Sequence, residues 1–182
     1  MESSASAVAF RVANASDALC IAVLGTRVFL DTYATEGISQ SIAPEALEQF
    51  SANVVSGQIA NTANTFVVAE SSGYMVGFAQ LVLGPTQELV SATTSAKLNR
   101  LYVHEPFTAK GTGKALLQCA ESLAASKGAS TLWLTAWVGN HRALGFYATR
   151  GYKDLGATMY VFQDEQYENR VLAKAVHAHA ET

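Results

Sequence analysis

The segment from Lys97 to Val138 constrains the fold more than any other part of this sequence. Lys97–Val103 and Thr131–Val138 have the composition of buried strands, and Gly111–Lys127 between them has the apolar spacing of an amphipathic helix. A strand, a helix and a strand in this order imply a crossover connection between two parallel strands. We therefore predict a sheet that has this crossover within it.

Shorter apolar runs extend this unit. The turn Ser71-Ser72-Gly73 separates two β-rich runs, which predicts a hairpin. Further strands are predicted at Phe10–Val12, Thr65–Glu70, Tyr74–Leu83, Thr158–Phe162 and Arg170–Ala175, and further helices at about 17–33, 44–55 and 140–150. The order β-α-α-β-β-β-α-β-α-β-β predicts an α/β (α+β) fold in a single domain over residues 1–182, with its core at about 8–176. We expect a mixed central sheet of about seven strands with helices on both faces.

Composition excludes several classes of protein. Of the 182 residues, 49% are hydrophobic and 15% are charged, which is incompatible with a disordered chain. The net charge of −3 argues against a nucleic-acid-binding protein. No run of eighteen apolar residues occurs, and Glu2 stands where a signal peptide carries positive charge, so we expect no membrane segment and no export signal. Cys20 and Cys119 lie in apolar helical patterns and are predicted to be buried free thiols, which favours a reducing, cytoplasmic location.

The loop between the first strand and the helix of the crossover has features of a phosphate-binding site. Free backbone N–H groups and the helix dipole attract an anion at a helix start, and glycines permit close approach. Lys110 and Lys114 add positive charge. A Walker A loop would need a glycine at Thr108, and a dinucleotide-binding fingerprint would need a small residue at Leu116, so both are excluded. By itself, this segment is equally compatible with a plain glycine-rich helix start.

Two motifs in sequence order favour the phosphate site. The first runs from Leu101-Tyr102-Val103 to Gly111-x-Gly113-Lys114-x-Leu-Leu and resembles motif A of the GNAT N-acetyltransferases. The second, Trp137-x-x-Asn140-x-x-Ala143-x-x-Phe146-Tyr147-x-x-x-Gly151-Tyr152, resembles their motif B. The resemblance spans about Phe10 to Val176. It implies the GNAT acyl-CoA N-acyltransferase fold, with acetyl-CoA as the cosubstrate.

Within this superfamily the chain is similar to PaiA-type spermidine/spermine N-acetyltransferases. The similarity rests on Phe29-Leu30-Asp31-Thr32-Tyr33, on Leu98-x-Arg100-Leu101-Tyr102-Val103 and on the segment from Gly156 to Glu165. It implies a small polyamine such as spermidine or spermine as the acceptor, with Asp31 as the candidate residue to bind it. A protein N-terminus, an amino acid or an aminoglycoside-like amine is left open as the acceptor.

The resemblance also implies where the coenzyme binds. It puts the pantetheine arm beside the strand at 101–103 and the pyrophosphate on the loop at 108–114. Asn140 contacts the arm in the family, although its position suits a helix N-cap equally well. The implied coenzyme-binding set is Leu101, Tyr102, Val103, Thr108, Ala109, Lys110, Gly111, Thr112, Gly113, Lys114 and Asn140.

Tyr147 is the candidate catalytic residue. Transfer of acetyl to an amine expels a thiolate, and a phenol beside the sulfur can act as its general acid. The general base is not identified, because Lys97 and Asn99 stand where many relatives carry a glutamate on the fourth strand. The remaining candidates are Asp31, Glu70, His104 and water that leads to bulk solvent.

We expect an enzyme that transfers acetyl from acetyl-CoA to a primary amine by direct attack in a ternary complex. No cysteine occupies a reactive setting, so no acetyl-enzyme is expected. A non-catalytic acyl-CoA-binding regulatory module is the alternative from another class. His177-x-His179 has the spacing of a metal pair but reads as part of a frayed tail, and no metal is predicted. The oligomeric state is open, with a homodimer among the options, and no nucleic-acid or membrane partner is expected.

Overall fold

Seven strands and five α-helices are present in the computed structural model, which describes residues 7–162 and 165–177. The strands are β1 (Val8–Val12), β2 (Asn64–Ser71), β3 (Tyr74–Leu83), β4 (Ser95–Val103), β5 (Thr131–Trp137), β6 (Lys153–Phe162) and β7 (Glu165–Ala175). The helices are α1 (Ala18–Tyr33), α2 (Ile42–Gln49), α3 (Ala52–Ala60), α4 (Thr112–Ser126) and α5 (His141–Ala148). Short 3₁₀ turns at Ala15–Asp17 and Glu105–Phe107 precede α1 and α4.

The strands form one mixed sheet in the order β1-β2-β3-β4-β5-β7-β6. Only β4 and β5 are parallel in the part of the chain that the structure describes, and α4 connects them. All other neighbours are antiparallel. The seven-stranded mixed sheet and its central crossover, both predicted from the sequence, are confirmed.

Helices cover both faces of the sheet, as predicted. On one face, the apolar stripe of α4 packs against β2, β3 and β4. On the other face, Ile21 and Leu24 of α1 and Val55 of α3 pack against Phe66 and Phe78. The stripe of α4 consists of Leu116, Leu117, Ala120 and Ala124, with Leu123 partly buried at its edge.

The helix predicted at 44–55 is wrong, because the chain forms two helices there. Phe50 ends α2, and Ser51 leaves the helical conformation with a ψ of 147°. The side-chain oxygen of Ser51 then accepts a hydrogen bond from the backbone N–H of Val54, which caps α3. The break turns the ring of Phe50 into the protein, where it packs against Gly25 of α1.

Two other predictions need correction. Strands β6 and β7 each begin five residues earlier than predicted, at Lys153 and Glu165, because neither added segment contains an apolar run. Cys20 is exposed and Cys119 is half-buried, although both thiols are free. The apolar residues of α1 extend around the helix, with Leu19 and Val23 exposed, so a position within this apolar pattern, such as Cys20, need not be buried.

Within the described ranges, no helix has the length and apolar character needed to cross a membrane. The same residues contain no group of three or more His, Cys, Asp or Glu side chains placed to hold a metal ion. Residues 1–6 and His179 of the predicted tail lie outside those ranges.

The contact between Gly25 and Phe50 generates a test of how α1 is seated. A Cβ at Gly25 would lie 2.3 Å from Cδ1 of Phe50, so Gly25→Ala must displace a buried ring. We expect a loss of about 1–3 kcal/mol in the free energy of unfolding, measured by urea denaturation. Gly57→Ala in the exposed part of α3 is the matched control, because nothing lies within 4 Å of its Cβ position. It should gain about 0.5–1 kcal/mol from helix propensity. A Gly25→Ala protein as stable as the wild type would contradict this packing.

Candidate active site

The two parallel strands separate to form a cleft. Strands β4 and β5 pair at only three positions, from Ser95 with Thr131 to Lys97 with Trp133. Strand β4 continues to Val103 and β5 to Trp137, and the described residues show no further pairing between them. A cleft of about 980 Å³ lies along these diverging ends and is lined by residues of both strands. The separated strands therefore offer main-chain groups to whatever enters between them.

A bulge in β4 determines which side chains face each half of the cleft. On the β3 side, Gln80 pairs with Arg100 and Leu81 pairs with Leu98, so Asn99 has no partner on β3. Asn99 Nδ2 and Arg100 Nη1 both donate to Oε1 of Gln80, at 2.9 and 2.7 Å. Consecutive residues thus project to the same side of the sheet, the side covered by α1.

The loop before α4 lies at the mouth of the cleft. Ala109 and Gly111 have left-handed φ angles of 58° and 89°, and α4 begins immediately afterwards. Nothing lies within 4 Å of a Cβ position at Gly111. A Cβ at Gly113 would only make ordinary contacts with Phe146 and Val103, at 3.6 and 3.7 Å. This open backbone at the start of a fifteen-residue helix has the form and polarity of an anion site.

Most of the predicted coenzyme-binding residues line the cleft. These are Leu101, Tyr102, Val103, Thr108, Ala109, Gly111, Gly113, Lys114 and Asn140.

Two predicted residues do not line it. Lys110 is exposed, with its ammonium 5.5 Å from the ring centre of Phe107, and Thr112 is buried in the first turn of α4. Asn140 has a second role, because its Oδ1 accepts a hydrogen bond from the backbone N–H of Ala143 at 3.0 Å. The N-cap predicted for α5 is thus present in a residue that also lines the cleft.

Tyr147 of α5 lies in the wall of the cleft and is 8% exposed. Its ring packs edge-on against Phe146 and Tyr152, with ring centres 5.1 and 5.4 Å away. The hydroxyl forms no hydrogen bond with any residue in the described part of the chain. Burial is the main cause that raises the pKa of Tyr147 above its ordinary value, and Arg150 opposes this only in part. The phenol is therefore protonated at neutral pH and free to donate into the cleft.

Only one of the three acidic or imidazole candidates reaches the cleft. Asp31 lines its outer end, with a side chain 60% exposed and 3.8 Å from Arg27. Glu70 is bound to Arg11 at 2.6 Å, and His104 stacks on Phe107, so neither contributes to the cleft lining.

Two cations of β4, for which the sequence predicts no binding role, line the cleft. Lys97 lies on β4 with its ammonium 5.3 Å from the ring centre of Trp133, and burial, followed by the charge of Arg100, lowers its pKa. Arg100 is 8% exposed and lies over the ring of Phe50 at 4.5 Å. Neither forms an ion pair with a carboxylate that the structure describes. The sequence predicts that successive side chains of β4 point to opposite faces of the sheet. It does not predict the bulge that directs Arg100 to the face covered by α1.

Aromatic rings complete the α1 side of the cleft. The rings of Tyr33 and Trp137 lie with centres 5.7 Å apart, and Phe29 packs between Tyr33 and Phe50 at 4.9 and 5.7 Å. All four residues line the cleft. The sequence indicated Phe29 and Tyr33 as part of a motif but did not bring Trp137 to them.

The chain is similar to known acetyltransferases. Residues 31–152 match the acetyltransferase (GNAT) family. An uncharacterised N-acetyltransferase, YhfO of Bacillus subtilis, is 31% identical over 144 residues, which cover 79% of this chain and 89% of that protein. Another, from the region 3′ of pepI in Lactobacillus delbrueckii subsp. lactis, is 25% identical over 84% of this chain and 88% of its own length.

A solved structure shows the same fold. The PaiA N-acetyltransferase of Thermoplasma acidophilum, in complex with coenzyme A, superimposes with a TM-score of 0.74. The alignment covers 93% of this chain and 99% of that one, at 22% identity. The seven-stranded sheet with its splayed parallel pair is thus the GNAT fold. Because the family match also covers well over half of the sequence, this chain belongs to the GNAT acetyltransferases and is an acetyl-CoA-dependent enzyme.

Proposed function

We propose that this enzyme acetylates a primary amine by direct attack in a ternary complex, with Tyr147 as the general acid. The observation that carries the proposal is a protonated phenol without a hydrogen-bond partner among the described residues, in the wall of the cleft between β4 and β5. No acetyl-enzyme step is needed, because Cys20 is exposed on α1 and Cys119 is outside the cleft.

The cleft suits an acyl-CoA in two respects. The diverging ends of β4 and β5 offer main-chain groups that the amides of a pantetheine arm can bind, beside Leu101 and Val103. The open backbone from Ala109 to Gly113 at the start of α4 suits a pyrophosphate. When bound there, acetyl-CoA supplies an acetyl group activated as a thioester.

Tyr147 provides the proton that the leaving sulfur needs. As the amine nitrogen forms a bond to the carbonyl carbon, the C–S bond breaks and negative charge develops on sulfur. The phenol donates its proton to that sulfur and recovers one from solvent through the cleft. The proton that the attacking amine loses passes to water.

The cations on β4 serve the amine in place of an acidic base. A positive charge close to an ammonium lowers its pKa, so an acceptor near Lys97 loses its proton more easily than in water. We infer that the acceptor reacts as the free base that forms on binding. This explains how the reaction proceeds with Lys97 and Asn99 at positions where many relatives carry a glutamate.

The polyamine acceptor remains a prediction. It is supported by the resemblance in sequence and by the similarity to a PaiA N-acetyltransferase. Asp31, the residue predicted to bind it, lines the cleft but is largely exposed and close to Arg27. Thiol release from acetyl-CoA, measured with spermidine, spermine and other amines at millimolar concentration, tests this acceptor and the enzymatic function together.

Gly113→Val tests the position of the pyrophosphate. A valine would extend from a Cβ that already contacts Phe146 and Val103 in the cleft wall and would fill space beside the proposed phosphate site. We expect acetyl-CoA affinity to fall at least about tenfold by calorimetry. Gly57→Val on the exposed side of α3 is the matched control and should bind acetyl-CoA as the wild type does. Unchanged affinity in a folded Gly113→Val protein would refute this placement.

Tyr147→Phe tests the general acid. The substitution removes one hydroxyl and keeps the packed ring, so kcat should fall about 10²–10⁴-fold while acetyl-CoA affinity stays unchanged. Because the proton is donated only in the transition state, kcat and kcat/KM should fall equally. Steady-state kinetics with a thiol dye measures both.

The control is Tyr152→Phe. That hydroxyl donates to Glu121 at 3.0 Å and does not line the cleft. Its loss should cost about 0.5–1.5 kcal/mol of stability and leave kcat nearly unchanged. A loss in kcat below about threefold for Tyr147→Phe would make Tyr147 a packing residue.

A further inference from the structure

The α1 side of the cleft holds positive charge that no carboxylate of the described chain neutralises. Arg100 donates to the side-chain oxygens of Gln49 and Gln80, both at 2.7 Å, and of Gln58 at 3.4 Å. Amide oxygens satisfy hydrogen bonds but carry no net charge. Arg100 is 8% exposed, and its guanidinium therefore keeps its full charge at the floor of the cleft.

Lys97 adds a second charge to the same strand and the same side. It contacts the face of Trp133 and has no hydrogen bond or ion pair within the described residues. These two residues are called here the β4 cations. Burial lowers the pKa of Lys97, and the charge of Arg100 lowers it further. An anion bound between them would relieve this repulsion and the cost of their burial together.

The carboxylates near the cleft are already engaged. Asp31 lies 3.8 Å from Arg27 and Glu105 lies 3.2 Å from Arg142. Among the described residues, these are the two carboxylates that line the cleft. They belong to its outer parts and are largely exposed, so water screens them from the β4 cations.

Glu45 is one step removed from Arg100. Its Oε1 accepts hydrogen bonds from Tyr160 at 2.6 Å and from the side-chain nitrogen of Gln49 at 2.8 Å. Gln49 in turn directs its oxygen to Arg100. This series of hydrogen bonds orients the guanidinium of Arg100 but does not place a carboxylate against it.

We propose that the acceptor amine also carries a carboxylate, which Lys97 and Arg100 bind on the α1 side of the cleft. The proposal rests on the acetyltransferase function given above and names its substrate class as a small amino acid. A polyamine would instead bring two or more positive charges towards the β4 cations, at a cost rather than a gain.

The other groups on this side of the cleft fit the same molecule. Tyr33, Phe50 and Trp137 offer apolar surface to an amino-acid side chain. Aromatic faces also attract an ammonium, so these rings are compatible with a polyamine as well. The β4 cations are the feature that favours an amino acid over a polyamine. Asn169 of β7 lines the cleft at 5% exposure, and its Oδ1 has no hydrogen-bond partner in the described chain. It is an acceptor available to an N–H of the substrate.

The test compares each amino acid with its own amide. The purified full-length enzyme is assayed for thiol release from acetyl-CoA with the common L-amino acids, the corresponding amino-acid amides and spermidine. An amide keeps the amine and side chain and lacks only the carboxylate. Because the two amines differ in pKa, kcat/KM is expressed per concentration of free base. We expect at least one amino acid to exceed its amide and spermidine by tenfold or more.

Lys97→Met then assigns the preference to a residue. It keeps the length of the side chain and removes the charge. Its effect on the amine pKa is lost for both substrates, so kcat/KM should fall for both, but about tenfold further for the preferred amino acid than for its amide. Lys97→Arg should restore most of the preference. Lys127→Met, at the exposed end of α4, is the matched control and should behave as the wild type.

The outcomes separate the two proposals. Equal or better use of amides or spermidine overturns the carboxylate and leaves the acetyltransferase function intact. A preference for amino acids that survives in Lys97→Met excludes Lys97 and therefore the site proposed here. No thiol release with any amine of the panel overturns both proposals.

Discussion

The early end of pairing between β4 and β5 is the constraint on which the rest of the site depends. A parallel pair that continued to Val103 and Trp137 would satisfy its main-chain groups internally and leave no cleft. The two strands instead separate after Lys97 and Trp133. The other edge of β5 pairs with β7 along its full length. The sheet thus remains continuous on either side of an opening near its centre. The loop before α4 and one side of α5 both line that opening, which brings the anion site and Tyr147 to the same cleft.

The bulge at Asn99 adds a second constraint, and it has an energetic cost. Burying a cation costs several kcal/mol even after relaxation. Hydrogen bonds to a charged group return about 1.5–3 kcal/mol each, so the contacts of Arg100 with Gln49 and Gln80 offset most of that cost. Among the described residues, the ammonium of Lys97 contacts only the ring face of Trp133, and such a contact contributes about 0.5–2 kcal/mol. Lys97 is therefore the less compensated of the two, which fits a residue that serves binding rather than stability.

Local chemistry made much of this fold predictable. The apolar stripe of α4, the hairpin turn at Ser71–Gly73 and the cap at Asn140 each follow from short-range patterns, and the structure contains all three. The helix predicted at 44–55 was wrong because Ser51, a good N-cap, divides a segment whose apolar pattern looks continuous. The cationic cluster was not predictable, since a one-residue bulge between Leu98 and Arg100 leaves no sequence signal. Of the residues that the motif resemblance implies, Gly113 and Tyr147 line the cleft and Lys110 and Thr112 do not, and their roles stay predictions.

The reaction we propose requires two protonation states in this cleft: a neutral amine that attacks and a neutral phenol that donates. Burial opposes the charged form of both groups, and thereby keeps the proton on Tyr147 and removes it from the amine. Positive charge has opposite consequences for the protonation of the amine and of the phenol. Lys97 and Arg100 favour the free amine, whereas positive charge near the phenol favours its ionised form, as Arg150 does in part. The β4 cations lie on the α1 side of the cleft, whereas Tyr147 lies in α5 and packs with the core on the α4 side, so the two groups occupy different parts of the same cleft. In the proposed reaction, the lowered pKa of the amine lets water accept the proton that a glutamate on β4 would otherwise take.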